Sequence, residues 1–111
     1  MFEKHLNQMV MIRTYSAGVH YGTLEKIESA EKGYDVLLKD ARRVYNWAGA
    51  CSLSQLSLEG SKKPNDSKIS VTVPFILLRA IEVIAMTDKA VENLSGIMWR
   101  FDEEKGEVVN Y

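Results

Sequence analysis

A chain of 111 residues, 46% hydrophobic and 26% charged, has room for one domain with a modest core and no second one. A formal net charge of −1 argues against duplex DNA binding driven by bulk charge. One cysteine, Cys51, and two scattered histidines, His5 and His20, leave neither a disulfide framework nor a cysteine–histidine metal cluster within one chain.

The same cysteine usage suits a reducing compartment. The first residues lack a basic start followed by an apolar core, so no secretory leader is expected. The longest apolar stretch, Val71 to Met86, is broken by Arg79 and Glu82, which argues against a membrane span. These features together predict a soluble, cytoplasmic protein. Its charge is unevenly spread. Lys39 to Lys68 holds six basic and three acidic residues, while Phe101 to Tyr111 holds four acids and one lysine. A local basic patch fits a small anionic ligand better than a long nucleic acid.

Met1 to Gln8 reads as a loose lead-in. Met9 to Tyr15 carries β-branched residues without a breaker and reads as a strand. Ser16-Ala17-Gly18 supplies a turn, and Val19 to Ile27 a second strand paired back on the first. After the polar turn Glu28 to Gly33, Tyr34 to Lys39 reads as a third strand with Tyr34, Val36 and Leu38 on one face. It runs on into DARRVYNWAGACSLSQLSLEG, residues Asp40 to Gly60. If that run stays extended, Arg43, Tyr45 and Trp47 share one face, with Arg42, Val44 and Asn46 on the other. A guanidinium beside two flat rings can stack a base and hold a phosphate. The same pattern also describes an ordinary strand with an aromatic core face and two solvated arginines.

Ser52 is placed to cap a short helix, Leu53 to Glu59, which Gly60 ends. Ser61 to Lys68 reads as an exposed loop with Lys62 and Lys63 at its base. Ile69 to Val73 reads as a strand that Pro74 interrupts. Phe75 to Met86 fits helical spacing in part, but its β-branched content favours a strand over Ala80 to Met86. Thr87 caps a second helix, Asp88 to Leu94, ended by Gly96. Ile97 to Phe101 reads as a last short strand. The acidic tail, residues 102–111, has a composition that favours disorder. The predicted fold is α+β, a twisted antiparallel sheet decorated by two short helices in a single domain, residues 1–111.

Catalytic patterns are missing from the sequence: no glycine-rich phosphate loop, no HExxH, no activating partner for Cys51. The expectation is a binder rather than an enzyme, with no metal and no cofactor. Trp99-Arg100 repeats the aromatic–basic pairing of the central stretch. If the last strand folds back beside that stretch, the two pairs could line one pocket. Phe75 and Arg79 offer a further aromatic and a further cation. The candidate ligand residues are therefore Arg42, Arg43, Tyr45, Trp47, Lys62, Lys63, Phe75, Arg79, Trp99 and Arg100.

Three segments carry a resemblance: RTYSAGVHYG at Arg13–Gly22, the central stretch at Asp40–Gly60, and AIEVIAMTDKAVENL at Ala80–Leu94. Together they resemble a family of small phage proteins that includes the first-described type of Thoeris anti-defence sponge. That resemblance implies a non-catalytic protein that sequesters cyclic ADP-ribose isomers in the host cytoplasm during infection. Some such sponges also hold cyclic oligonucleotides of CBASS defence. It implies a homodimer or a hexamer, with ligand sites between protomers. The matching arginine–aromatic positions are Arg42, Arg43, Tyr45 and Trp47. The run Tyr45-Asn46-Trp47 stands where a Trp-Tyr-Trp-like run is expected, and Ala48 where a charge is common. The rival reading is an accessory factor that meets RNA or a host protein through the same arginine–aromatic surface.

Overall fold

The computed structural model describes residues 2–110. Among these residues seven strands form, and two α-helices. In chain order they are β1 (Met9–Thr14), β2 (Val19–Ala30), β3 (Gly33–Asn46), α1 (Leu53–Glu59), β4 (Lys68–Ile69), β5 (Val73–Ala85), α2 (Asp88–Ser95), β6 (Trp99–Asp102) and β7 (Glu107–Asn110). The fold is α+β, as the sequence predicts. All strand pairs are antiparallel.

Strands β1, β2, β3 and β5 close on themselves. β2 pairs with β1 and β3, and β5 pairs with β3 and β1, so the four strands form a small barrel. Closing so few strands demands sharp bending, and three register shifts supply it. The clearest lies at Asp40. Thr23 pairs with Lys39 and Tyr21 with Arg42, so Asp40 and Ala41 together oppose Gly22. Asp40 has a φ of 51°, a left-handed value that an aspartate tolerates better than most residues.

The period-two alternation of the strands builds two cores rather than one. Val10, Ile12, Leu24, Val36, Leu38 and Leu78 point into the barrel. Met11, Tyr21, Val44 and Ile69 point outward and are covered by Leu56 of α1 and Leu94 of α2, with Ile97 beyond it. β1 is thus buried on both faces, which explains its near-continuous apolar run.

Both helices start as the sequence predicts. The Ser52 hydroxyl accepts from the Gln55 N–H at 3.1 Å, and the Thr87 hydroxyl accepts from the Ala90 N–H at 3.1 Å. Asn93 ties the helices together through a reciprocal pair of bonds with the Ser61 backbone, at 2.7 and 2.9 Å.

Four expectations change. β2 runs past the expected Ile27 to Ala30 and pairs there with the start of β3, so the expected turn at Glu28 to Gly33 shrinks to Glu31-Lys32. The strand expected at Ile69 to Val73 splits: β4 ends at Ile69, and Ser70 to Thr72 leave the sheet. β5 then begins at Val73 and runs through Pro74, well before the expected Ala80. Pro74 is tolerated because it falls between the Ala41–Val73 and Lys39–Phe75 pairs, opposite the bulged Asp40. The acidic tail also forms structure. It turns at Gly106, and β7 pairs with β6 through Trp99–Asn110 and Phe101–Val108, with Tyr111 outside the described residues. Asp102 is what turns it, accepting from the Glu104 N–H at 2.9 Å.

Candidate functional site

The two adjacent arginines of β3 point to opposite sides and meet opposite fates. Arg42 is buried, only 6% exposed, beneath α2. Its Nε donates to the Ser70 carbonyl at 2.8 Å, and its Nη1 to the Tyr21 hydroxyl at 2.8 Å and the Leu94 carbonyl at 3.0 Å. Its Nη2 donates to the Ile97 carbonyl. Leu94 and Ile97 sit at and just past the end of α2, where carbonyls lack helical partners and the dipole favours a cation. Arg42 is therefore a rivet between β3 and α2. The phosphate contact expected of it is replaced by backbone carbonyls, which use the guanidinium on every nitrogen.

Arg43 faces the other way. Its guanidinium carbon lies 4.8 Å from the Tyr45 ring centroid. The turn between β1 and β2 passes directly beneath it: a Cβ on Gly18, where φ is +79°, would stand 3.3 Å from Arg43 Nη2. Tyr45 meets Trp99 of β6 edge to face, with ring centroids 5.0 Å apart. The Lys68 ammonium sits 5.5 Å from the Trp99 centroid. The result is a continuous row, Arg43–Tyr45–Trp99–Lys68, in which each cation lies over one ring. Among the described residues neither Arg43 nor Lys68 has a carboxylate partner. Tyr45 is 52% exposed, so the row lies open at the surface.

Several non-local contacts set this row. Lys68 pairs with Asn46 across β3 and β4, which places it beside Tyr45. The Asn110 amide donates to the Asn65 and Ser67 carbonyls at 3.1 and 2.9 Å, docking the β6–β7 hairpin on the loop that precedes β4. That loop is itself held by Gly49, whose φ is +80° and where a Cβ would stand 2.6 Å from the Lys62 and Lys63 amides.

Of the ten residues expected to bind ligand, three come together here: Arg43, Tyr45 and Trp99. Trp47 packs against the second core, because β3 ends at Asn46 and the chain turns inward. Lys62 and Lys63 are exposed in the loop after α1. Phe75 and Arg79 lie on the outer face of β5, where Arg79 pairs with Asp35 at 2.6 Å. Arg100 follows Trp99 in β6 but approaches Asp102 at 3.9 Å. The residue the sequence reading missed is Lys68. Its place is fixed by pairing with Asn46, and no local pattern marks that.

Next to Arg43 in the ladder is His20, which pairs with it across β2 and β3. His20 is buried and its Nδ1 has no hydrogen-bond partner among the described residues. Burial, helped by the Arg43 charge, pushes its pKa down to about 4, so the ring is neutral at pH 7. It lines a small cavity of about 150 Å³ with Arg43, Ser70, Val73 and Ile76. A wider concavity of about 560 Å³ lies at Arg100 to Glu104, but Asp102, Glu103 and Glu104 line it and disfavour an anion.

Among the described residues, no helix is long and apolar enough to cross a membrane, and no three His, Cys, Asp or Glu side chains stand close enough to share a metal ion. Residues 7–94 match the family model described as a domain of unknown function, DUF6948. No curated protein and no solved structure matches the chain.

Proposed function

The chain belongs to the DUF6948 family, and for it we propose a non-catalytic role: binding a nucleotide-type ligand on the Arg43–Tyr45–Trp99–Lys68 row and holding it without turnover. One observation carries this reading. Two cations without carboxylate partners among the described residues are held over two rings that touch at 5.0 Å. Flat rings suit the face of a base, at about 1–3 kcal/mol per stacked base. The guanidinium and ammonium suit phosphate oxygens, and Arg43 can present a bidentate fork. Because the cations already rest on the rings, little side-chain freedom remains to be lost on binding.

The resemblance in sequence sharpens the proposal to a sponge that sequesters cyclic ADP-ribose-type signals, and cyclic oligonucleotides, in the cytoplasm of an infected host. It also carries self-association as a dimer or hexamer, since an open row needs a second surface to enclose a ligand. The openness of the row supports one rival, an accessory factor that meets RNA or a host protein there.

The test is to incubate the protein with cyclic ADP-ribose isomers and cyclic dinucleotides, remove unbound ligand, denature by heat and analyse what is released by mass spectrometry. Intact nucleotide released from the wild type, and lost in Tyr45→Ala, supports the sponge. A cleaved product overturns the claim of no turnover. No nucleotide from any candidate, with RNA retained on the same protein, favours the accessory factor.

A further inference from the structure

The sheet has a gap beside Arg43. Val44 pairs with Ile69 of β4 and Ala41 pairs with Val73 of β5, but Ser70 to Thr72, between those two strands, leave the ladder. On that side Arg43 holds Ser70: its N–H donates to the Ser70 hydroxyl at 2.8 Å, and its carbonyl accepts from the Ser70 N–H at 2.9 Å. The small cavity of about 150 Å³ opens here. Ala41 and Ile76 join it to the barrel core, so it is the mouth of the barrel, a common place for a ligand. Val73 adds a third apolar wall, and His20, Arg43 and Ser70 supply the polar groups. His20 is 3% exposed, and its Nδ1 has no hydrogen-bond partner among the described residues. Buried polar atoms are normally paired, so this nitrogen is bonding capacity held in reserve.

The cavity is about five times the share of one water molecule in the liquid, roughly 30 Å³. It admits one five-membered sugar ring and is too small for a whole nucleotide. Its three apolar walls suit the C–H faces of such a ring and disfavour a buried charge. A hydroxyl both donates and accepts, so it can meet Nδ1 in either tautomer of the neutral imidazole, whereas the oxygen of a phosphate ester only accepts. We propose that the barrel mouth is a subsite for a ribose, whose hydroxyls bond to His20 while its phosphate stays outside on Arg43. This inference rests on the nucleotide reading above and narrows it. Arg43 is shared by the cavity and the row, so its phosphate stands between a base on Tyr45 and a sugar in the mouth. In a mononucleotide the sugar separates base from phosphate. The ligand that fills both places therefore carries a second sugar beyond its phosphates, in the order base, sugar, diphosphate, sugar. The subsite also lies within one copy of the chain and is complete without another.

The probes are D-ribose 5-phosphate, 2-deoxy-D-ribose 5-phosphate and inorganic phosphate, each titrated to millimolar concentration into the full chain at pH 7. Binding is read by calorimetry and by the nitrogen NMR shifts of the His20 ring. Ribose 5-phosphate is expected to move the ring signals and to bind at least about fivefold more tightly than the deoxy sugar, the share of one hydrogen bond. ADP-ribose should exceed ADP, which lacks the second sugar, by a similar factor. His20→Phe keeps a flat ring and removes its nitrogens; it should stay folded by circular dichroism and bind the two sugar phosphates equally. The wild-type comparison stands whether or not that variant folds. Equal affinity of the wild type for the two sugars overturns the proposal. So does no binding of ribose 5-phosphate, inorganic phosphate bound as tightly, an unmoved His20 signal, ADP bound as tightly as ADP-ribose, or a ribose preference that survives in His20→Phe. Nucleotide capture by the same samples is read separately. A ribose preference without nucleotide capture refutes the row alone, and nucleotide capture without the ribose preference refutes this subsite alone.

Discussion

Arg42 and Arg43 are neighbours in β3, yet they belong to two different regions of the molecule. On one side of the strand is the seam under α2, where a guanidinium is shielded from water and every nitrogen finds an acceptor. On the other is the open row, where a guanidinium rests on a ring with no carboxylate partner among the described residues. The same side chain is structural where the protein supplies its acceptors and available to a ligand where it does not. A ring beside an arginine does not separate the two cases, because both have one: Tyr21 lies 5.8 Å from Arg42, and Tyr45 lies 4.8 Å from Arg43. Burial and acceptor count separate them.

The largest way to break this comparison is Arg42→Ala. It strands the buried Ile97 carbonyl and takes a donor from the Ser70 and Leu94 carbonyls and the Tyr21 hydroxyl, and should cost about 3–5 kcal/mol of stability, read as a lowered urea midpoint. Arg42→Lys should recover little of it, since one ammonium cannot reach acceptors spread around a planar fork. If Arg42→Ala melts like the wild type, the seam is not what holds α2 to the sheet.

A pH titration probes the other side of the strand through His20. Its folded pKa, about 4, lies below the unfolded value of about 6.5. Between those values the unfolded chain binds the extra proton. The stability contributed by neutral His20 is therefore fully present above about pH 6.5 and is lost as pH falls towards 4, up to about 3 kcal/mol in all. His20→Gln should flatten urea-monitored stability across that window. Arg43→Ala should raise the His20 pKa, followed by imidazole NMR shifts, because the Arg43 charge is one of the two causes of the depression. An unmoved pKa would detach Arg43 from His20.

Arg43→Ala should weaken nucleotide binding by about 1.5–3 kcal/mol, since a charge-assisted contact is lost, while the melting temperature hardly moves. Raised salt should reproduce part of that loss in calorimetric titrations. Smallest is Lys68→Ala, with about 0.5–1 kcal/mol of binding, because its ammonium is exposed and strongly hydrated. A Lys68→Ala loss larger than that of Arg43→Ala would move the centre of the site towards Trp99.

The sequence made the local parts of this molecule readable. Alternation identified β1, β2 and the start of β3, and the Ser52 and Thr87 caps identified both helices, because these features depend on neighbours in the chain. It also showed that Arg42 and Arg43 face opposite ways. Which of them is buried depends on α2 folding back over β3, and no pattern within the stretch encodes that. Trp47 was assigned to the ring face on the assumption that β3 continues, but the strand stops at Asn46 and the ring turns into the second core. Pro74 looked like a break because its partner, the bulge at Asp40, lies far away in sequence. The Tyr45–Trp99 contact was foreseen only as a condition, that the last strand return beside the central stretch. The hairpin that meets it, anchored by Asn110, came from a tail whose composition suggested disorder.

The most direct measurement is nucleotide capture by the wild type, Arg42→Lys, Arg43→Ala and Trp99→Ala, each assayed below its own melting temperature. Wild-type capture is expected to persist in Arg42→Lys once folding is matched, and to fall by at least tenfold in Arg43→Ala and Trp99→Ala, a loss of about 1.4 kcal/mol. Undiminished capture by Arg43→Ala and Trp99→Ala, in a protein that still melts normally, would contradict it.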